Sequence, residues 1–482
     1  MHQSKLITVL RTLGARERTR WREYVYSPFF NKHGQLRQLA DLVLEFAPDF
    51  DAVMPDKQTV FIRLFGTGEL FDERKLNNLI SDLYELLLGY LAYTGYEAEP
   101  AEMQLHATNA LLDRNLNAAA ATVLTKCRLH LERRPDQTAR HYFYELRWWE
   151  AAEVLESRRS RRVAGEQLNR QADANDLAFV LEKLRLGAAM LSRQGLAVLQ
   201  SETQPRWLPA IRQWCREEVL LAGLPAVQVY LAALDLLEQA TPDSFTAFTG
   251  ALDRHFAVFG KDELAALYQY ALNYCIRRIN DGQPDAYPEA LALYQTLLDR
   301  DVLLRQGRLS QWTYKNITTA GLRSGAFAWT EGFLKDYREL LPPGERDNAF
   351  VYNLAALHFE KENYPATLLT LQNVEFTDFT YHLGAKILQL KSYYILQETE
   401  ALNALVEATQ QLLRRNRSLS TFGKTANLNF LRMLRRLHNW KQRQQTLSTV
   451  KWQQQQQVLL KKVSEMQPLA NKDWLLEMLG ST

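Results

Sequence analysis

The chain has only three cysteines, Cys127, Cys215 and Cys275, far apart and without paired spacing. A disulfide framework or a zinc knuckle needs cysteines at close, repeated intervals, so neither is encoded, and buried free thiols in a reducing cytoplasm are expected. Strand signals are nearly absent too. No apolar and polar alternation bounded by Asn-Gly or Asp-Gly turns is sustained, which leaves a sheet without a place. Long apolar runs are missing: the most apolar window, residues 83–93, carries Glu85 and falls well short of the ~20 apolar residues of a bilayer span. The short run at residues 6–10 meets Arg11 and no small-residue cleavage site, unlike a secretory signal. A cytoplasmic protein with no membrane contact is the expectation.

Chemistry-bearing motifs are equally scarce. The nearest approach to a phosphate loop, Phe422-Gly423-Lys424-Thr425, has Ser418 where the first glycine must stand, and no strand precedes it. Gly66-Thr67-Gly68 lacks the third glycine and the strand-helix-strand setting of a dinucleotide site, and reads as a helix stop and turn. The nine histidines, His130 and His141 among them, show no His-Glu-x-x-His and no cluster at ligand spacing. Asp49 and Asp51 sit in a Pro-Asp loop, where turn and cap duties explain them. No catalytic residue, metal or cofactor is expected, and an enzyme is the third reading, behind two kinds of binding protein.

What is present is helix. Hydrophobic residues make up 46% and charged residues 23% of 482, the balance of a folded chain that is long for one core. In residues 1–97, Leu6, Val9, Leu10 and Leu13 mark one helical face, and Trp21, Tyr24 and Val25 another. Pro28, Asn31 and Gly34 then break the pattern, with Phe29 and Phe30 expected to plug the joint. Asp72 is placed to cap a long helix over residues 73–93. Helices of ordinary length separated by short breaks continue through residues 98–259. Pro135, Pro205, Pro209 and Pro225 fall at joints or helix starts, and Thr241, Pro242 and Asp243 form a cap and turn.

Residues 348–415 show one pattern twice. Setting Phe359 against Tyr393, a shift of 34 residues, places Ala356 beside Leu390 and Leu368 beside Leu402. That is the length of a tetratricopeptide unit, two antiparallel helices that bury their apolar faces only by stacking on neighbours. One unit earlier Gly321 takes the place of Phe359, Gly325 and Phe327 fall at the turn, Thr330 and Leu334 on the second helix, and Pro342 at its exit. Before that, residues 262–279 supply a first helix and Tyr287, Ala290, Tyr294 and Leu297 a second.

With its WREYVYSPFFNK and FDERKLNNLISDLYELL stretches, these repeats and the ANKDWLLEML ending, the chain resembles an uncharacterised bacterial family of tetratricopeptide-like proteins. The resemblance implies an all-α helical-repeat solenoid, with an N-terminal helical domain at 1–97, irregular hairpins at 98–259, repeats at 260–415 and basic C-terminal helices at 416–482. It also implies a concave groove lined by the first helices. Its positions carry over to Trp312, Lys315 and Thr319, then Phe350, Asn353 and Leu357, then Gly384, Ile387 and Lys391. Such a groove holds an extended or helical peptide, so the leading expectation is a non-catalytic scaffold for a protein partner.

The charge distribution supports a second reading. Residues 414–462 hold twelve Lys or Arg and no Asp or Glu, leaving 46 basic against 55 acidic residues elsewhere. On the helix around residues 427–439, Leu428, Leu431, Leu434 and Leu437 face inward, while Arg432, Arg435 and Arg436 share the other side, which Arg443 extends. Trp440 and Trp452 are interleaved with these charges, read as packing anchors or as the stacking surface that nucleic-acid bases would require; an exposed face with no ligand and an acidic protein partner are the other readings of the basic helices. Arg158, Arg159, Arg161 and Arg162 form a smaller cluster, explained by a solvated helix end or by a contact to nucleic acid or an acidic partner.

Overall fold

Proline and N-cap side chains start most of the segments just described, and what they start is helix. A computed structural model describes residues 4–48, 50, 55–134, 136–159, 166–194, 206–305, 307–372, 374–417, 419–444 and 448–480. Asp49, Asp51, Pro135, Arg161, Arg162, Pro205 and Ser418 lie outside the described residues. Among the described residues there is no β-strand, only one bridge between Arg305 and Arg308. No helix among them is long and apolar enough to cross a membrane. The described residues divide into two compact units, the first drawn from Met1–Met190, Gln200–Leu231 and Ala257–Phe259, the second from Leu191–Leu199, Ala232–Phe256 and Gly260–Thr482.

The first unit begins with α1 (Lys5–Leu10), α2 (Ala15–Tyr26), α3 (Gly34–Leu44), α4 (Lys57–Phe65) and α5 (Glu73–Glu97). Asp72 caps α5 by accepting the Lys75 N–H at 3.0 Å, so that one of the orphan donors of the first turn is satisfied. Leu76, Leu79, Ile80, Leu83, Leu87 and Tyr90 of α5 are buried, and together with Ile7, Trp21, Leu39 and Phe61 they form a core drawn wholly from residues 6–90. The loop after α2 departs from the expected plug. Phe29 is 84% exposed, and only Phe30 stacks on Tyr24, at 4.0 Å between centroids. Asn31 organises that joint instead, donating from a buried amide to the carbonyls of Val25 and His33 at 2.8 and 3.2 Å. The unit continues through α6 (Pro100–Asp113), α7 (Asn117–Arg133), α8 (Ala139–Arg159), α9 (Glu166–Gln194), α10 (Leu208–Glu217) and α11 (Val219–Ala222). Helices α6 to α8 share a second small core around Leu105, Leu124 and Leu155. Both α9, whose last residues belong to the second unit, and the next helix, α12 (Pro225–Gln239), have residues in both units.

The second unit contains α13 (Pro242–His255), α14 (Lys261–Asn280), α15 (Ala286–Asp299), α16 (Gln311–Arg323), α17 (Phe327–Asp336), α18 (Pro343–Glu360), α19 (Tyr364–Leu371), α20 (Phe379–Ile395), α21 (Thr399–Arg415), α22 (Thr421–Gln442), α23 (Thr449–Glu465) and α24 (Lys472–Gly480). Thr241 and Ser244 form a reciprocal capping box at α13. From α14 to α21 consecutive helices pack as hairpins, and the first helices α16, α18 and α20 also pack on one another.

One turn recurs inside each of the pairs α14–α15, α16–α17, α18–α19 and α20–α21. Gly282, Gly325, Glu362 and Gln397 take left-handed φ values of 82°, 71°, 59° and 62°. At each, the left-handed residue donates to the carbonyl three residues back and its successor donates to the carbonyl five back, as in Ala326 to Gly321, Asn363 to His358 and Glu398 to Tyr393. These bonds satisfy the carbonyls left over at a helix end. The turn fixes the register and corrects the alignment read from the sequence: Gly321 and Tyr393 correspond to His358, not to Phe359, and the last interval is 35 residues. With that one-residue change, buried Ala355 falls on buried Leu390 and Phe359 on Tyr394. Gly321 has a packing reason, since a Cβ there would lie 2.2 Å from Thr330 Oγ1 across the α16–α17 hairpin.

Candidate functional site

Six of the nine groove residues expected from the sequence, Trp312, Lys315, Phe350, Asn353, Leu357 and Lys391, separate into four settings. Trp312 is 43% exposed and stacks on Tyr381 with centroids 5.6 Å apart and planes within 7°. Lys315, one turn along α16, points its ammonium at the rings of Tyr352 and Tyr381, 5.3 and 5.6 Å from their centroids. Burial pushes the Lys315 amine below the usual lysine range. Tyr381 is held from behind by a hydrogen bond to the Gln311 carbonyl at 3.0 Å. Tyr352 lies on α20 because Gly384 lacks a Cβ, which would stand 2.7 Å from the ring. Thus α16 and α18 present Trp312, Lys315 and Tyr352 over buried Tyr381 of α20; Tyr352 takes the place of Asn353 once the register is counted from His358, whereas Tyr381 lies outside the groove spacing in either register.

The other four residues do not join this cluster. Phe350 lies under the Arg338 guanidinium, 4.7 Å from its ring centroid. Asn353 and Leu357 are each 1% exposed, so neither lines an open surface. Asn353 spends its amide on the Ala349 carbonyl of its own helix at 2.8 Å. Lys391 lines a separate cavity beside Phe359 and Trp474.

On the basic face, the structure keeps part of the expected set together. Arg432 and Arg436 are exposed on α22, whereas Arg435 turns to Glu407 of α21 at 3.3 Å. Arg436 and Arg443, with Lys451 of α23, edge a cleft of about 580 Å³ whose polar lining is completed by Asn439, Gln454 and Gln455. Among the described residues no carboxylate lines it, while Trp440, Val458 and Leu459 supply its apolar part. The tryptophans do not offer a stacking surface for bases. Trp440 and Trp452 are 3% and 8% exposed and stack on each other at 4.4 Å, and the Trp440 indole N–H donates to the Trp452 carbonyl at 3.2 Å. Of the glutamine tract, Gln456 ties α24 down through the Leu479 carbonyl at 2.6 Å. Lys451, Gln454 and Gln455 were missed as lining residues, although their helical spacing was the available signal.

The remaining features have structural duties. Gly423 donates to the N-cap Ser420 at 3.1 Å, and Lys424 donates to the Arg414 carbonyl at 3.0 Å, so the Gly-Lys-Thr stretch is a capped helix start. Gly66, with φ 86°, ends α4. Arg158 donates to the Leu112 carbonyl at the end of α6 at 2.7 Å. All three thiols are fully buried, and burial pushes them up to about 11, 11 and 12, which makes none a ready thiolate. His141 lies on α8 with Glu145 3.8 Å away, and burial lowers its basicity.

Comparison with protein-family models, curated proteins and solved structures finds no match to this chain.

Proposed function

We propose that the chain is a tetratricopeptide-like solenoid of stacked helical hairpins, acting as a non-catalytic scaffold that holds another protein. The observation that carries this reading is the cluster in which exposed Trp312 and half-buried Lys315 of α16 and half-buried Tyr352 of α18, from two successive repeats, rest on buried Tyr381 of α20. Aromatic rings beside a partly desolvated cation form the kind of anchor that dominates protein interfaces. The four like turns and the packing of successive first helices support the stacked arrangement. In affinity purification from the native cell with mass spectrometry, a protein recovered with the wild type should persist after nuclease and be lost with Trp312→Ala. Retention of every wild-type partner by Trp312→Ala counts against this surface.

The cleft between α22 and α23 favours a second reading, a nucleic-acid-associated factor. Three cations with no carboxylate among the lining residues suit a phosphate backbone. Reversing Arg436, Arg443 and Lys451 to Glu should then abolish a mobility shift and leave the helical circular dichroism intact. The wild-type affinity should fall with salt at a log-log slope of roughly −2 to −3 for three phosphates.

A further inference from the structure

Lys391 is 8% exposed in the middle of α20, and the scaffold reading gives it no task. Its ammonium lies 5.2 Å from the ring centroid of Trp474 and 5.9 Å from that of Phe359. Among the described residues no side chain or carbonyl accepts a hydrogen bond from it, and no carboxylate stands within ion-pair distance. An ammonium carries three donors, and leaving them buried without acceptors is costly. Burial accordingly holds the Lys391 amine down to about 8, with the Arg323 charge adding to the effect.

This amine opens on a cavity of about 600 Å³, within the range of small-molecule sites. Trp474 and Phe359 give the cavity an aromatic wall, and its charges are of both signs. Lys391 and Arg323 stand on the cationic side, although Arg323 is already 3.9 Å from Glu360. Asp473 and Glu477, one helical turn apart on α24, are exposed at the edge, and Glu362 adds a further carboxylate. A plain anion would satisfy Lys391 but face four carboxylates. A plain cation would suit the edge and leave the lysine donors unmet. A ligand carrying both charges, with an apolar body for the aromatic wall, meets the buried Lys391 donors without bringing a bare anion among these carboxylates.

We propose that this cavity binds a small zwitterion of the amino-acid class, its carboxylate accepting from Lys391 and its ammonium directed to Asp473 at the edge. The site goes beyond the scaffold reading and shares no residue with the Trp312 cluster, so the two stand or fall separately. The test is isothermal titration of the full chain with each of the twenty free amino acids, then with the C-terminal amide and the N-acetyl form of any that bind. At least one free amino acid should bind, and each blocked form should bind at least 10-fold more weakly. Lys391→Met should lose binding by at least 10-fold with its circular dichroism unchanged. If no free amino acid binds, or if the amide binds as tightly as the acid, the proposal is overturned; both results come from the wild type and do not depend on how the variant folds.

Discussion

The cleft between α22 and α23 and the cavity beside Lys391 are both edged by cationic side chains, yet water treats the two differently. Arg436, Arg443 and Lys451 are exposed, so their mutual repulsion is spread through water and screened beyond a Debye length of about 8 Å at physiological salt. Lys391 has exchanged water for two aromatic rings, which attract a cation but return less than hydration does. A run of basic residues therefore marks the site that is cheap to build. The costly one is a single buried lysine on a largely apolar helix, and cost without a structural return is the stronger sign of a task.

The sharpest way to break this contrast is to remove the buried charge. The drop of the Lys391 amine from 10.5 to about 8 corresponds to about 3 kcal/mol of unfavourable interaction. Lys391→Met keeps the side-chain length and should raise the unfolding free energy at pH 7 by up to that amount, measured by urea denaturation. The sign with pH follows from linkage. Below about 8 the amine is charged in both folded and unfolded chains, and folding bears the full cost. Between about 8 and 10.5 the folded chain releases its proton first while the unfolded chain holds it, so wild-type stability rises relative to the variant. Taking the difference between the two proteins cancels the titration of Tyr381 and Tyr394, which burial raises in both. A difference that stays flat from pH 7 to pH 10.5 would mean that Lys391 is as well solvated as the cleft residues.

Lys315 stands between the two extremes, half-buried over Tyr352 and Tyr381. Its setting depends on Gly384, because a Cβ there would meet the Tyr352 ring at 2.7 Å. Gly384→Ala should displace that ring and cost about 1–3 kcal/mol, as overpacking does. It should also return the Lys315 amine toward its ordinary range, read by pH titration of its ε-methylene carbon. Gly332 offers the control, since nothing lies within 4 Å of a Cβ built there. Gly332→Ala should be neutral or slightly stabilising, because alanine is the better helix former.

What was legible in the sequence follows the range of each interaction. Helix class, the Asp72 cap on α5 and the Thr241 cap on α13 rest on residues within a few positions of one another, and they were readable. The repeat register was not, because two of the four left-handed turn positions are Glu362 and Gln397 where a glycine would have announced them. A non-glycine residue in that conformation costs about 1 kcal/mol, which neighbouring hairpins must offset, so the signal lies in packing and leaves no mark in composition. The buried pairing of Trp440 with Trp452, across the α22–α23 turn, was hidden for the same reason. So was the Lys391 cavity, whose walls come from Phe359 and Trp474, far apart along the chain.

The smallest expected effect tests the exposed end of the comparison. Arg435 and Glu407 approach to 3.3 Å with side chains 38% and 69% exposed. Holding two flexible side chains together offsets most of what screened attraction gains, so a double-mutant cycle over Arg435→Ala and Glu407→Ala should give a coupling of about 0–1 kcal/mol. That coupling should shrink further in 1 M salt, where the Debye length falls to about 3 Å. A coupling above roughly 2 kcal/mol that survives salt would mean the α21–α22 surface is desolvated in the native protein. The basic helices would then share the burial of Lys391, and an occupant of that face would be needed to explain it.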